Sequence, residues 1–476
     1  MEKRKLINNS FSIITNRLAQ SVSTFVLTAT IARYLGAEAL GQYLLAFSYY
    51  FIFVSIASQG LKTLFTRELA CNPQKTPIFL TSGTCLQLIF SLIGYVALVI
   101  VVFLLPYSTE TSAVCYIMGL TIIPFSLSNI TEAIFQAHEK MHLIAISTVP
   151  IYVLRLIVMI WAMQHYYNVD FLSTVLVISE SIILVIEWAL LTSIVKPQWQ
   201  IDKAFIWDSV KASRTFFAIE GIAIVNSRSQ ILILSLLGSE FLVGIYGGIV
   251  QLTQPFLIIA NSVATAVFPS LSKAVNQGRE NQRQIIENFI EILLIIALPL
   301  LAGLVIIGNK LLIFLYNPNF AQGSTALSVM ALTLFFLPFN RSLSFLLLAN
   351  GLEKINLREV IVTTILGSLA SVVLISQFKL VGAAAVELLM RISGFSQYVY
   401  CTYTRIFSLN VWQIIRRPLL VSTLMIPVLL ILQKINLNFL LTLLISSFYY
   451  LLIVGLLVIN KLGSPQAIWS KLLNKG

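Results

Sequence analysis

The chain has 476 residues, 58% of them hydrophobic and only 11% charged, with a formal net charge of +12. Soluble domains carry roughly 25% charged residues, and a soluble chain of this composition would expose large apolar patches and aggregate, so a soluble globular protein is excluded. The positive charge does not mark a nucleic-acid binder, because Lys and Arg sit in short segments between apolar runs rather than in one stripe. The same composition suits a bilayer, where about 20 apolar residues cross the hydrocarbon core as a helix. The runs are long and lack period-2 alternation, which favours helices over a barrel.

The start, Met1-Glu2-Lys3-Arg4-Lys5, has the charge of a signal peptide, but the apolar stretch behind it carries Arg17 and ends at Arg33 without a small-residue cleavage site. It is expected to be a retained first helix. Apolar spans follow near 10–33, 43–66, 78–105, 113–135, 143–165, 171–195, 215–237, 244–271, 286–308, 325–349, 357–377, 382–406, 418–434 and 439–460. The expected fold is therefore an all-α polytopic membrane protein of about fourteen transmembrane helices.

Basic residues in the connections set the orientation. With a cytoplasmic N-terminus the outside segments hold only Arg33, Lys310, Lys379 and Lys434. The inside segments hold the others, from Lys3, Arg4 and Lys5 through Lys196, Lys203, Lys211 and Arg214 to Lys461, Lys471 and Lys475. Both termini are expected to be cytoplasmic, in a bacterial inner membrane. All outside loops are short, which leaves no periplasmic domain. Segment 196–214 has Ile201, Phe205 and Val210 on one side and Lys203, Asp208 and Lys211 elsewhere, the pattern of an amphipathic helix at the cytoplasmic interface. The tail repeats it, with Ile468, Trp469, Leu472 and Leu473 opposite Lys471 and Lys475. Cys71, Cys85, Cys115 and Cys401 are scattered without CxxC spacing, so inert buried thiols are expected. His138, His142 and His165 show no metal-ligand pattern; neither a metal nor a cofactor is expected.

Two internal matches point to a duplication. Pro124-Phe125 to Leu143 aligns without gaps on Pro338-Phe339 to Leu357, at a constant offset of 214. Each copy is an apolar helix opened by Pro-Phe and closed by a Glu-Lys turn. Leu35 to Tyr43 also resembles Leu237 to Tyr246, with one insertion. Six helices separate equivalent elements, so the copies share one orientation: two parallel pseudo-repeat six-helix lobes around a central cavity, plus a C-terminal helix pair. The expected division is an N-terminal lobe 1–195, an inter-lobe linker 196–214, a C-terminal lobe 215–406, and 407–476 for helices 13, 14 and the tail.

Ala32-Arg33-Tyr34-Leu35-Gly36-Ala37-Glu38-Ala39-Leu40-Gly41-Gln42-Tyr43, then Gly60-Leu61, Thr66-Arg67-Glu68-Leu69-Ala70 and Phe268-Pro269-Ser270-Leu271-Ser272, resemble segments of the Wzx-type oligosaccharide-lipid flippases. These belong to the multidrug/oligosaccharidyl-lipid/polysaccharide (MOP) exporter superfamily. The resemblance covers the whole chain in helix number and duplication, though its motifs are structural turns rather than a catalytic signature. It implies a V-shaped, two-lobed transporter, not an enzyme, that moves an undecaprenyl-pyrophosphate-linked oligosaccharide to the periplasmic leaflet. The implied partners are that lipid-linked oligosaccharide, membrane lipids, and a polysaccharide polymerase and export machinery.

Ionisable residues at membrane depth are costly and face a cavity or a partner. Arginine suits a pyrophosphate because its guanidinium is always charged and holds phosphate oxygens bidentately. The candidate anion-cavity residues are Arg17, with Gln20 and Thr24 at i+3 and i+7 on one stripe of helix 1, then Arg341 and Arg228. Arg17 can instead be read as snorkelling to the interface, and Arg341 as half of an interhelical salt bridge. Its repeat partner at the 214 offset is Leu127, so the duplicated scaffold did not require a charge there. Arg391 has Glu387 four residues before it, the spacing of an intrahelical ion pair. Glu180 and Glu187, at i and i+7, and Glu220 are candidates for ion coupling, although Arg155 could equally pair with Glu180 or Glu187. Asn129, Glu132 and Gln136 form a further stripe, read as sugar contacts or as interhelical glue.

The alternatives are a lipid-linked peptidoglycan precursor flippase, which also needs arginines, and a multidrug extruder, which needs a cavity acid that helix 1 does not offer. A membrane polymerase or ligase would need a long outside loop. No GxxxxGK[ST] loop for an ATP-driven pump is present.

Overall fold

The computed structural model describes residues 2–58, 60–197, 201–435 and 439–462. The chain runs through α1 (Glu2–Tyr34), α2 (Gly36–Ser58), α3 (Leu61–Cys71), α4 (Thr76–Leu104), α5 (Thr109–Gly119), α6 (Ile122–Ala137), α7 (Met141–Gln164), α8 (Val169–Thr192), α9 (Lys203–Leu237) and α10 (Glu240–Ala274). It continues through α11 (Arg279–Leu315), α12 (Ser324–Ala331), α13 (Thr333–Ala349), α14 (Glu353–Arg405), α15 (Val411–Lys434) and α16 (Phe439–Leu462). No strand occurs among the described residues.

Ten helical segments among the described residues are long and apolar enough to cross a membrane, against the fourteen spans expected. Three causes account for the difference. Side chains in parts of α1 and α9 lie outside the described residues, so neither helix is counted whole, and α9 appears only as the shorter apolar stretch Ser227–Leu237. The expected spans 357–377 and 382–406 run together as α14, broken only at Lys379, whose φ is 48°. Of α16 only the shorter apolar stretch Phe439–Tyr450 is counted, and the tail with Ile468, Trp469 and Lys471 lies outside the described residues. The span expected over 43–66 is two helices, because Gly60 takes a left-handed φ of 68° and starts α3 in a new direction.

Contacts divide the chain into two compact units, Met1–Gly248 and Ile249–Gly476. In the first, α1 packs on α7 and α2, α4 lies against α2 and α6, and α8 closes on α6 and α7. In the second, α11 packs on α13 and α15, α14 on α12 and α13, and α16 on α15.

By contacts α9 belongs to the first unit along its whole length. Its first turns are continuous with the rest of the helix over Lys203–Leu237. Phe205, Ile206 and Val210 pack against a core of Leu61, Phe65, Phe79, Ile134 and Phe135, with the Phe205 and Phe79 rings 4.5 Å apart. The apolar side of this stretch is thus covered by protein. Trp207 stays exposed with the Lys211 ammonium 5.4 Å from its ring.

The Leu35–Tyr43 and Leu237–Tyr246 matches meet in space. A Cβ on Gly41 would lie 1.7 Å from the Glu240 carbonyl oxygen, and one on Gly244 would lie 1.8 Å from that of Ala37. The two backbones touch, reciprocally, as small residues four apart allow. Around this crossing Thr111 donates to Glu240 at 3.1 Å, and the Tyr107 hydroxyl lies 2.9 Å from Tyr49 and 2.8 Å from Ser235.

The other match is shifted. The residue with left-handed φ that closes α6 is Glu139 (57°), whereas the one that closes α13 is Gly351 (70°). The following amide bonds back in the same way, Lys140 to Phe135 and Leu352 to Leu347. The structural register is therefore two residues shorter than the gapless sequence alignment. Glu139-Lys140 ends one copy, but Glu353-Lys354 begins α14. The structural counterpart of Arg341 becomes Asn129, not Leu127.

Candidate functional site

The intramembrane arginines fall into two groups. Arg155 on α7 donates from Nη1 to Glu180 Oε1 on α8 at 2.7 Å and to Ser179 at 3.2 Å, over the Tyr152 ring. Its side chain is 13% exposed and that of Glu180 8%, so this is a buried pair. Arg391 donates to Glu387 at 2.6 Å along α14. Both of these charges are neutralised where they stand.

Arg17, Arg228 and Arg341 are different. Among the described residues none of them has a carboxylate within salt-bridge distance. Arg228 on α9 is half-buried with its guanidinium carbon 5.1 Å from the Phe51 ring and 5.7 Å from the Phe47 ring of α2. A cation held over aromatic faces is partly compensated yet keeps its N–H donors for another group. Arg17, Gln20 and Thr24 all lie on the exposed part of α1, and Thr24 turns its hydroxyl back to the Gln20 carbonyl at 2.8 Å. The adjacent Asn16 is engaged, accepting from Thr148 of α7 at 3.0 Å.

Arg341 sits in the second unit on α13. Asn340 beside it donates to the Arg391 carbonyl at 2.9 Å, and the Tyr398 hydroxyl donates to Glu359 at 3.1 Å. Arg391 and Glu359 are the charges that act on Arg341. Sequence reasoning passed over Glu359, which lies two residues into the expected span 357–377, just after the Glu353-Lys354 turn. Its signal is Gly394, where a Cβ would lie 2.6 Å from Glu359 Oε1. The helix carries glycine there because the carboxylate occupies that space.

The candidate coupling acids separate as well. Glu180 is in its ion pair. Glu187 is fully buried and accepts from Thr131 at 2.5 Å and Ser147 at 3.2 Å. The Glu220 side chain lies outside the described residues. In the α6 stripe, Asn129 donates to Ser58 at 3.3 Å and Glu132 pairs with Lys62 of α3. Both residues act here as interhelical contacts. Among the described residues no group of three or more His, Cys, Asp or Glu is placed to hold a metal. Of the four cysteines, Cys115 and Cys401 are buried as expected, but Cys71 is exposed at the end of α3 and Cys85 is intermediate.

The arrangement offers cationic donors inside helices, and it suits binding. Several solved structures share the fold. The "Lipid II flippase MurJ, inward closed conformation" matches with a TM-score of 0.75 and 18% identity, covering 95% of this chain and 99% of that one. An inward-facing multidrug resistance MATE family transporter of the MOP superfamily matches with a TM-score of 0.65 and 13% identity, covering 83% and 98%. A MOP superfamily transporter from Pyrococcus furiosus matches at 0.56 and 13% identity, covering 84% and 94%. No curated protein matches by sequence. The family model described as "Polysaccharide biosynthesis protein" matches residues 6–275, more than half of the chain and the whole of its first unit beyond the opening turn, and on that match the chain belongs to this family.

Proposed function

We propose that this protein is a flippase that carries a polyprenyl-pyrophosphate-linked oligosaccharide from the cytoplasmic to the periplasmic leaflet for surface polysaccharide export. Alternating access of two lobes moves the cargo, and no bond is broken. The observation that carries this reading is the set Arg17, Arg228 and Arg341, which keep intramembrane charge without a carboxylate at salt-bridge distance, while Arg155 and Arg391 are neutralised. A guanidinium without a paired carboxylate at this depth is costly, and a pyrophosphate supplies a partner through paired N–H···O bonds. The family, polysaccharide biosynthesis, supports the sugar-linked cargo. The concentration of basic residues in one set of connections supports an inner-membrane protein with both termini in the cytoplasm. A polymerase and export machinery are the partners such a cargo needs.

A second reading, a lipid-linked peptidoglycan precursor flippase, is favoured by the close fit of fold to MurJ. The two readings differ in which strain fails without the protein. In a strain that needs this chain for a surface polysaccharide, Arg17→Ala, Arg228→Ala and Arg341→Ala, each at wild-type abundance, are expected to lower export about tenfold or more. Lys→Arg changes in the loops should leave it unchanged. Normal export in all three alanine variants would remove the anion-site assignment. Rescue of peptidoglycan synthesis instead of polysaccharide export would select the second reading.

A further inference from the structure

Two acids are buried among the described residues of the first unit, and they are handled differently. Glu180 meets Arg155 at 2.7 Å. Glu187, two turns later on α8, is 0% exposed and has no cation at that distance; its partners are two hydroxyls.

Those hydroxyls are over-subscribed. The Thr131 oxygen lies 2.5 Å from Glu187 Oε2 and 2.8 Å from the Ser128 carbonyl. The Ser147 oxygen lies 3.2 Å from Glu187 Oε1 and 2.9 Å from the Ile144 carbonyl. Each hydroxyl has one hydrogen and two acceptors to serve. An ionised Glu187 would draw both hydrogens and still be a buried anion with no countercharge, which is strongly unfavourable. A neutral Glu187 resolves the conflict at Thr131. Its own O–H donates to Thr131, and the Thr131 hydrogen goes to the Ser128 carbonyl.

The surroundings offer a way out for that proton. The charges that act on Glu187 are Glu132, next to Thr131 on α6, and Lys62 on α3, which is paired with Glu132. Exposure rises along this series, from 0% for Glu187 to 18% for the Glu132 side chain and 32% for that of Lys62. From α7, Tyr152 is also within electrostatic reach of Glu187. Arg155 is occupied by Glu180, and Tyr43 and Tyr50 of α2 border that pair instead.

We propose that Glu187 is a proton-binding site, which carries a proton in the conformation described here and exchanges it with water by way of Glu132 beside Lys62. Transfer from the Glu187 carboxyl to the Glu132 carboxylate leaves the net charge of Glu187, Glu132 and Lys62 unchanged, and Glu132 then releases the proton to solvent. The use of that proton, to couple the transport cycle, rests on the flippase reading; the binding itself does not.

The test needs no cargo. Infrared spectra of the full-length protein in lipid nanodiscs at neutral pH are expected to show the C=O stretch of a protonated carboxyl. That band should move to lower frequency in D2O, vanish in Glu187→Gln, shift in Glu187→Asp and persist in Glu387→Gln. A wild-type spectrum without the band, or a band that survives in Glu187→Gln, overturns the site. A band that does not respond to D2O overturns the exchange. Export measured on the same variants then decides coupling: loss in Glu187→Gln at normal abundance supports it, and normal export overturns it while the site stands. Should the arginine variants also export normally, the flippase reading falls and the spectra still decide the proton.

Discussion

Gly41→Leu and Gly244→Leu are each expected to destabilise the protein by at least about 3 kcal/mol, at the upper end of what overpacking costs. The reason is backbone meeting backbone. A Cβ at either position would lie less than 2 Å from a carbonyl oxygen of the facing helix, where contact is normally near 3.5 Å. No rotamer relieves such a clash, because the obstructing atom is not a side chain. The helices α2 and α10 must part, and the Thr111–Glu240 bond at 3.1 Å parts with them. Gly36→Leu makes a useful contrast, since a Cβ there meets nothing within 4 Å and the penalty comes from its φ of 91° alone. Thermal unfolding in detergent should rank Gly41→Leu and Gly244→Leu well below wild type; melting curves that superimpose would mean that the close crossing does not exist in the membrane.

The second large effect belongs to Arg155 and Glu180. Removing either partner strands a buried charge, which typically costs about 3–5 kcal/mol. Arg155→Ala and Glu180→Ala are therefore expected to reduce the amount of folded protein sharply, whatever the cargo. Replacing both by leucine should recover most of the loss, because a buried ion pair exchanged for apolar side chains of similar size is close to neutral. A double-mutant cycle on abundance and melting temperature measures this. Additive losses would show that the two charges do not interact at the 2.7 Å separation seen here. Glu387→Gln is the milder counterpart. The Arg391–Glu387 pair is more exposed, at 32% and 17%, and lies within one helix, so about 0.5 kcal/mol is expected.

What could be read from the sequence was what one helix decides by itself. Apolar length marked the spans from α4 to α8, and the i, i+4 spacing marked Arg391 with Glu387. The Arg155–Glu180 contact was one of two open options, since periodicity shows a face without naming the neighbour it meets. Partners that come from other helices stayed hidden for the same reason. Glu187 finds Thr131 and Ser147, on helices 56 and 40 residues away in sequence, and Lys62 finds Glu132 across 70. Glu359 was missed because its value depends on Tyr398 reaching back along a helix pair. Counted from the left-handed turns, Glu359 stands where Ser147 stands in the first unit. The acid of the later helix, Glu187, has its counterpart in an acid of the earlier one.

The path of α9 bears on how such a chain could have arisen. A single six-helix copy ending before residue 196 would have kept α2 but not the α9 that lies along it. Phe47 and Phe51 would then have lacked the Arg228 that lies over their rings. Such an ancestor could complete its fold only by borrowing that helix from a second identical molecule, an exchange of the kind seen in domain-swapped dimers. Fusion of the two copies into one polypeptide would have turned a concentration-dependent encounter into a permanent one. A protein cut today within 196–202 should then recover its fold only when both pieces are made together.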